Sequence, residues 1–146
     1  MHDHNNYVFN YNQITEHIYV GNNQCCILEL NELLVKEDIY ADISLEEKLT
    51  DNPIGVGAFL WVPIKNDTAP ESDQVKVTTA FIKTNVDMGK KIYVHCQNGH
   101  GRAPTIVIAY LMSTGQSFED ALALIKEKRP TMHLDESQIE FLKAIN

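Results

Sequence analysis

Two hydrophobic periods take turns along this chain, one of two residues and one near 3.6, and their order predicts the fold. Residues 17–20 read as a short strand, and within 24–36 Ile27, Leu30, Leu33 and Leu34 recur at helical spacing. Ile39, Ala41, Ile43 and Leu45 alternate, which predicts a strand over 38–45. Pro53, Gly55 and Gly57 mark 50–57 as a turn-rich connector, and 58–64 is apolar enough for a buried strand. A polar loop over 66–72 holds Pro70. Val75, Thr78, Thr79, Ile82 and Val86 then predict a helix that closes near Gly89. A central strand follows at 91–94. Pro104 sits in the first turn of the next helix, where an unpaired N–H is expected anyway, and Ile106, Val107, Ile108, Tyr110 and Leu111 predict burial on most of its sides. Ser117 with Asp120 opens a helix to about Lys128, and Asp135 caps the last one. Strands alternating with helices predict an α/β fold, a central mostly parallel sheet flanked by helices.

The central strand carries the chemistry. It runs Ile92-Tyr93-Val94-His95-Cys96 and breaks into Gln97-Asn98-Gly99-His100-Gly101-Arg102, directly before the Pro104 helix. Five residues between a cysteine and an arginine let the backbone curl into a ring with inward N–H groups, and the helix adds the positive end of its dipole. A thiolate is the charge such a ring holds, and the Arg102 guanidinium can clasp two oxygens of a phosphate ester in a fork. The plainer reading, a buried cysteine at a strand end and a surface arginine, needs both glycines and the strand-loop-helix order to be coincidences. At the carboxyl end of a central strand, the loop lies where open α/β sheets place their ligands. A departing alcohol or phenol needs a proton donor. Asp67, 29 residues before the cysteine in a loop after a strand, is the candidate, although an aspartate before Thr and Pro also serves as a turn former. Glu71 and Asp73 stand nearby and are read as caps of the following helix.

His95, Cys96, Gly99 and Arg102 satisfy the signature His-Cys, two residues, Gly, two residues, Arg. In this the chain resembles the cysteine-dependent protein phosphatases, the dual-specificity group most closely. Residues 14–21 (Ile-Thr-Glu-His-Ile-Tyr-Val-Gly) look like that family's opening strand, and 61–68 (Trp-Val-Pro-Ile-Lys-Asn-Asp-Thr) like its acid-bearing segment. Arg129-Pro130 falls where the family places such a pair, so the likeness covers roughly 14–145. It implies a protein-tyrosine-phosphatase-like fold and a two-step phosphoryl transfer. In that scheme Cys96 is the nucleophile, Arg102 and the amides of Gln97, Asn98, Gly99, His100 and Gly101 hold the phosphate, and Asp67 is first acid and then base. His95 shapes the loop without taking the proton. His100, in the variable part of the loop, is expected to face outward at the pocket rim. Gln138 is similar to a glutamine with which some relatives orient the hydrolytic water, and it also suits a cap closed with Asp135. The resemblance implies no metal and no cofactor. One departure stands out: the family usually follows its arginine with Ser or Thr, and this chain has Ala103. Losing that hydroxyl is expected to slow breakdown of the phosphocysteine.

Composition narrows the rest. At 146 residues the chain is expected to form one domain over 1–146, with 1–12 as an ordered or flexible extension. The start at 1–6 is polar, unlike a signal peptide, and no apolar run reaches membrane-spanning length. Three cysteines make no disulfide framework; Cys25 and Cys26 are read as core-facing on a helix, and a chain relying on a free thiolate is expected in the cytosol. A net charge of −8 argues against nucleic acid or an anionic membrane as partner, while leaving room for a local positive pocket. His2, His4, His17 and His133 show no metal-ligand spacing. The expected partner is a phosphorylated protein or a small phosphorylated molecule, a phosphoinositide included. Oligomeric state stays open, as do three other readings: a sulfur transferase, a low-molecular-weight phosphatase and a non-catalytic phosphate-binding module.

Overall fold

A computed structural model describes residues 8–23, 27–48, 50 and 53–145. Ten elements follow in order: β1 (Tyr11–Gln13), β2 (Ile18–Asn22), α1 (Ile27–Lys36), β3 (Ala41–Ser44), β4 (Ala58–Trp61), α2 (Ser72–Asp87), β5 (Ile92–Cys96), α3 (Arg102–Ser113), α4 (Phe118–Lys128) and α5 (Glu136–Ala144). The sheet order is β1-β2-β5-β3-β4; β2, β5, β3 and β4 run parallel and β1 runs antiparallel at one edge. The expected α/β architecture with a mostly parallel sheet is therefore present. Cys25 and Cys26, and the polar start at 1–6, lie outside the described residues.

Both faces of the sheet are covered, as parallel sheets require. One face (Ile18, Val20, Ala41, Ile43, Ile92, Val94 and Cys96) joins Ile82, Ile106, Ile108, Ile125 and Leu142 of α2–α5 in one core. The other face presents Tyr19 and Tyr93 to Leu30, Leu33 and Leu34 of α1. α3 is buried from Arg102 through Leu111, and each fully buried aliphatic side chain there contributes about 2 kcal/mol. Caps behave as the sequence predicts: Ser117 Oγ accepts the Asp120 amide at 3.1 Å, and the Asp135 carboxylate accepts the Ser137 amide at 3.1 Å. Glu71 closes a capping box with Gln74 at the start of α2.

Two elements differ from expectation. The strand expected over 58–64 stops at Trp61 and lies at an edge, with Phe59 37% and Trp61 44% exposed, so it is half-buried. Pro63 has no N–H for a ladder, and Gln74 Nε2 donates to its carbonyl at 2.8 Å instead. β1 has no apolar signature in its Tyr-Asn-Gln and becomes a strand by pairing with β2.

Tyr11 of β1 donates its hydroxyl to Glu37 Oε2 at 2.7 Å. Burial, and then the Glu37 carboxylate, push its pKa up from 10.0 to about 12. Below pH 10 the phenol is protonated in both folded and unfolded chains. Between 10 and 12 only the unfolded chain ionises, so stability falls as pH rises through that window. Urea midpoints followed from pH 9 to 12 should fall more steeply for the wild type than for Tyr11→Phe. Parallel curves would refute the assignment.

Candidate active site

β5 ends on Cys96 between β2 and β3, at the carboxyl edge of the sheet. Side chains alternate along it, so Tyr93 and His95 turn toward α1 while Val94 and Cys96 turn toward α3. Cys96 is 2% exposed, and the Gly99 amide donates to its Sγ at 3.2 Å.

The carbonyls of the loop after Cys96 are turned outward and held there. Arg129 Nε donates to Gly99 O at 2.8 Å and Arg129 Nη2 to Asn98 O at 3.2 Å. The His133 amide donates to His100 O at 2.7 Å, and Thr105 donates to Gly101 O from its amide at 2.9 Å and its hydroxyl at 2.7 Å. In a planar trans peptide the C=O and the next N–H point in opposite directions, and the chain contains no cis bond among the described residues. Four outward carbonyls therefore turn the N–H groups of Gly99, His100, Gly101 and Arg102 the other way, the side on which Sγ receives Gly99. Gly99 has φ +72°, and a Cβ there would meet Gly21 and the Arg129 guanidinium. Only glycine fits.

Arg102 is buried at the first position of α3. Its Nη1 donates to Ile64 O at 3.0 Å and to Leu45 O at 3.4 Å, while Nε and Nη2 make no hydrogen bond to the described protein. The arginine thus ties the end of β3 to the segment that carries Asp67 three residues later, with donors to spare. Asp67 itself is exposed at φ +59°, a left-handed conformation that aspartate tolerates better than most residues. Its turn is held by the Asn66 amide donating to Glu47 Oε2 at 3.0 Å and by Thr68 Oγ1 donating to Lys65 O at 2.6 Å.

The other candidates find distinct places. His95 is enclosed on the α1 side, its Nε2 3.0 Å from Asp42 Oδ1 and its ring stacked on Tyr93 at 5.1 Å. It points away from the sulfur's face of the sheet. His100 is exposed as expected, but partial burial of its ring, followed by the Arg129 and His133 charges, holds it below the usual histidine range. The shift disfavours a positive charge on His100. Ala103 is fully buried, and the neighbouring Thr105 hydroxyl is committed to Gly101 O, so it does not replace the missing one. Gln138 does close a cap with Asp135, and its Nε2 also donates to Thr68 O at 3.2 Å.

Two residues are more central than their sequence setting suggests. Arg129 is fully enclosed, and besides the loop carbonyls it donates to Asn12 Oδ1 at 2.8 Å and Asn10 Oδ1 at 2.7 Å. Burial lowers its pKa, opposed by Tyr93 and Cys96. In a Lys-Glu-Lys-Arg run it looks like one more solvated charge; only the following Pro130 hinted otherwise. Asp42, the buried partner of His95, stands in an alternating strand on the face that reads as polar.

Comparisons with known proteins agree with this geometry. The family described as dual specificity phosphatase, catalytic domain, matches residues 18–146. The viral protein 123R of Invertebrate iridescent virus 6, which carries a tyrosine-phosphatase name, is 33% identical over 120 residues, covering 80% of this chain and 78% of that protein. Phosphatidylglycerophosphate phosphatase PTPMT1 of Arabidopsis thaliana is 37% identical over 71 residues, which cover 48% of this chain but only 21% of that protein. Among solved structures, Tk-PTP in its active form superposes with a TM-score of 0.81 at 31% identity, covering 92% of this chain and 95% of that one. Sequence and fold coincide over nearly the whole described chain, which belongs to the family of dual-specificity phosphatase catalytic domains.

Proposed function

We propose that this chain hydrolyses phosphoric monoesters on proteins, phosphotyrosine and also phosphoserine and phosphothreonine, through a phosphocysteine intermediate. The observation that supports this reading above others is the outward turn of the carbonyls at 98–101, which leaves a ring of amides around Sγ. In the first step the Cys96 thiolate attacks phosphorus, the bond to the ester oxygen breaks, and Asp67 gives that oxygen its proton. The amides of the loop and the free donors of Arg102 hold the equatorial oxygens as charge shifts onto them. In the second step water attacks the phosphocysteine, Asp67 takes a proton back, and phosphate leaves with the thiolate restored. His95, on the far side of the sheet, supports the loop and exchanges no proton with substrate. A free thiolate nucleophile fits a reducing compartment, and we place the protein in the cytosol on that ground.

A second reading keeps the chemistry and changes the substrate. A relative acts on phosphatidylglycerophosphate by name, and a PTPMT1 structure of the same fold holds PI(5)P. The absence of lysine from 97–102 and the net charge of −8 favour the protein substrate. Rates on phosphotyrosine and phosphothreonine peptides against PI(5)P decide between the two.

Cys96→Ser should abolish turnover of p-nitrophenyl phosphate and of both peptides, and vanadate should inhibit the wild type competitively. Residual turnover in the serine variant would end the nucleophile assignment. Asp67→Asn should lower kcat/KM on the phosphothreonine peptide about 10²-fold and on p-nitrophenyl phosphate much less, since nitrophenolate leaves without a proton.

Because no hydroxyl replaces that of residue 103, breakdown of the phosphocysteine should limit turnover. Rapid quench should show a burst about equal to the enzyme present, and Ala103→Ser should shrink the burst while raising kcat. A linear wild-type trace would refute this. Arg129→Met would take the Arg129 donors away from four polar acceptors and remove a buried positive charge. Urea denaturation should show a loss of at least about 3 kcal/mol, with vanadate affinity falling in the fraction still folded; unchanged affinity would show that Arg129 is scaffold alone.

A further inference from the structure

Gln138 lies where three segments meet. It is 1% exposed in the first turn of α5, and its carboxamide is used on both sides: Oε1 accepts the Asp135 amide at 2.9 Å and Nε2 donates to Thr68 O at 3.2 Å. The same oxygen rests on the phosphate loop, since a Cβ at Gly101 would stand 2.9 Å from it. One amide group thus bridges the phosphate loop, the first turn of α5 and the residue that follows Asp67. Ser137 lends little to this bridge. Its hydroxyl stands 3.5 Å from Asp67 O but only 2.9 Å from Asp135 Oδ2, and a hydroxyl has one proton to give.

Asp67 needs such a tether. It is exposed and left-handed on a surface turn, a backbone state that surroundings must hold in place, and an acid is useful only within hydrogen-bond reach of the leaving oxygen. We propose that Gln138 is a positioning residue for Asp67, fixing the acid-bearing turn against the phosphate loop through its bond to Thr68 O. This rests on the assignment of Asp67 as acid and departs from the expectation that Gln138 orients the hydrolytic water, because its oxygen and one N–H are already engaged by protein.

Both roles bear on breakdown of the phosphocysteine, where Asp67 turns base, but only the positioning of Asp67 also touches the first step. Fixing the acid affects transfer to Cys96, which kcat/KM reports, and matters most for poor leaving groups; orienting water affects breakdown of the phosphocysteine, which limits kcat for every substrate alike. Gln138→Glu keeps an acceptor for the Asp135 amide and loses the donor to Thr68 O, and Gln138→Leu loses both. With either variant, kcat/KM on a phosphothreonine peptide should drop at least tenfold more than on p-nitrophenyl phosphate. In an Asp67→Asn background the same substitution should add no further difference between the two substrates. A fall in kcat with kcat/KM unchanged would overturn the proposal in favour of water placement. An equal loss of kcat/KM on both substrates would overturn it in favour of a structural role. If Gln138→Leu does not fold, Gln138→Glu carries the test alone. Asp67→Asn by itself reports on the underlying assignment: no leaving-group dependence there would remove the acid, and with it this proposal, while Cys96→Ser would still test the phosphatase reading.

Discussion

The structure depends on keeping four consecutive carbonyls, those of residues 98–101, pointed away from one sulfur atom. Left alone, a loop this short would turn some of its oxygens inward and repel both thiolate and phosphate. Arg129, His133 and Thr105 prevent this by offering each carbonyl a donor on the outside. Arg129 carries the heaviest share and the largest desolvation penalty. Its partners are two backbone carbonyls and two asparagine oxygens, and no carboxylate pairs with it among the described residues. A buried guanidinium satisfied only by neutral acceptors keeps its field. That field reaches the loop from beneath, while Arg102 faces it from the first turn of α3.

The same arginine explains why a three-residue edge strand matters. β1 brings Asn12 to the guanidinium, and Asn10 arrives just before it, with Asn10 O accepting the Asn22 amide at 3.1 Å. The chain's early residues and the end of its fourth helix therefore meet at the guanidinium that holds the phosphate loop. Strand alternation supplies the complementary separation: Cys96 faces the helices that bear the chemistry, and His95 faces Asp42 and Tyr93. The histidine next to Cys96 is fully buried on the α1 side of the sheet, away from the face that carries the sulfur.

Much of this was legible in the sequence because local chemistry dictates it. The strand, the glycine-bearing loop and Pro104 at the start of a helix specify the phosphate cradle, and Ser117 and Asp135 specify where two helices begin. Periodicity was blind where burial is decided by distant partners. Asp42 and Ser44 read as the wet face of a strand, yet α1 covers that face and both are fully buried. Arg129 read as part of a charged run because only the folded chain shows which carbonyls it meets. Residues 58–64 read as one buried strand since Val62 and Ile64 are indeed buried, but beyond the ladder's end. The position of Asp67 followed from resemblance to a family segment; its attachment through Arg102, Ile64 and Gln138 is a matter of three dimensions.

An acidic protein that binds phosphate poses an electrostatic question, and the geometry answers it. The 20 carboxylates of the chain outnumber its 12 basic residues, but charges on the surface are screened over about 8 Å at physiological ionic strength. Arg102 and Arg129 are enclosed, at 2% and 0% exposure, and their interaction with an anion in the loop is screened far less. The fixed N–H dipoles of the ring act at still shorter range and need no reorganisation when an anion arrives. Long-range repulsion therefore governs how often a phosphate approaches, and the buried arginines with the ring govern how firmly it is held.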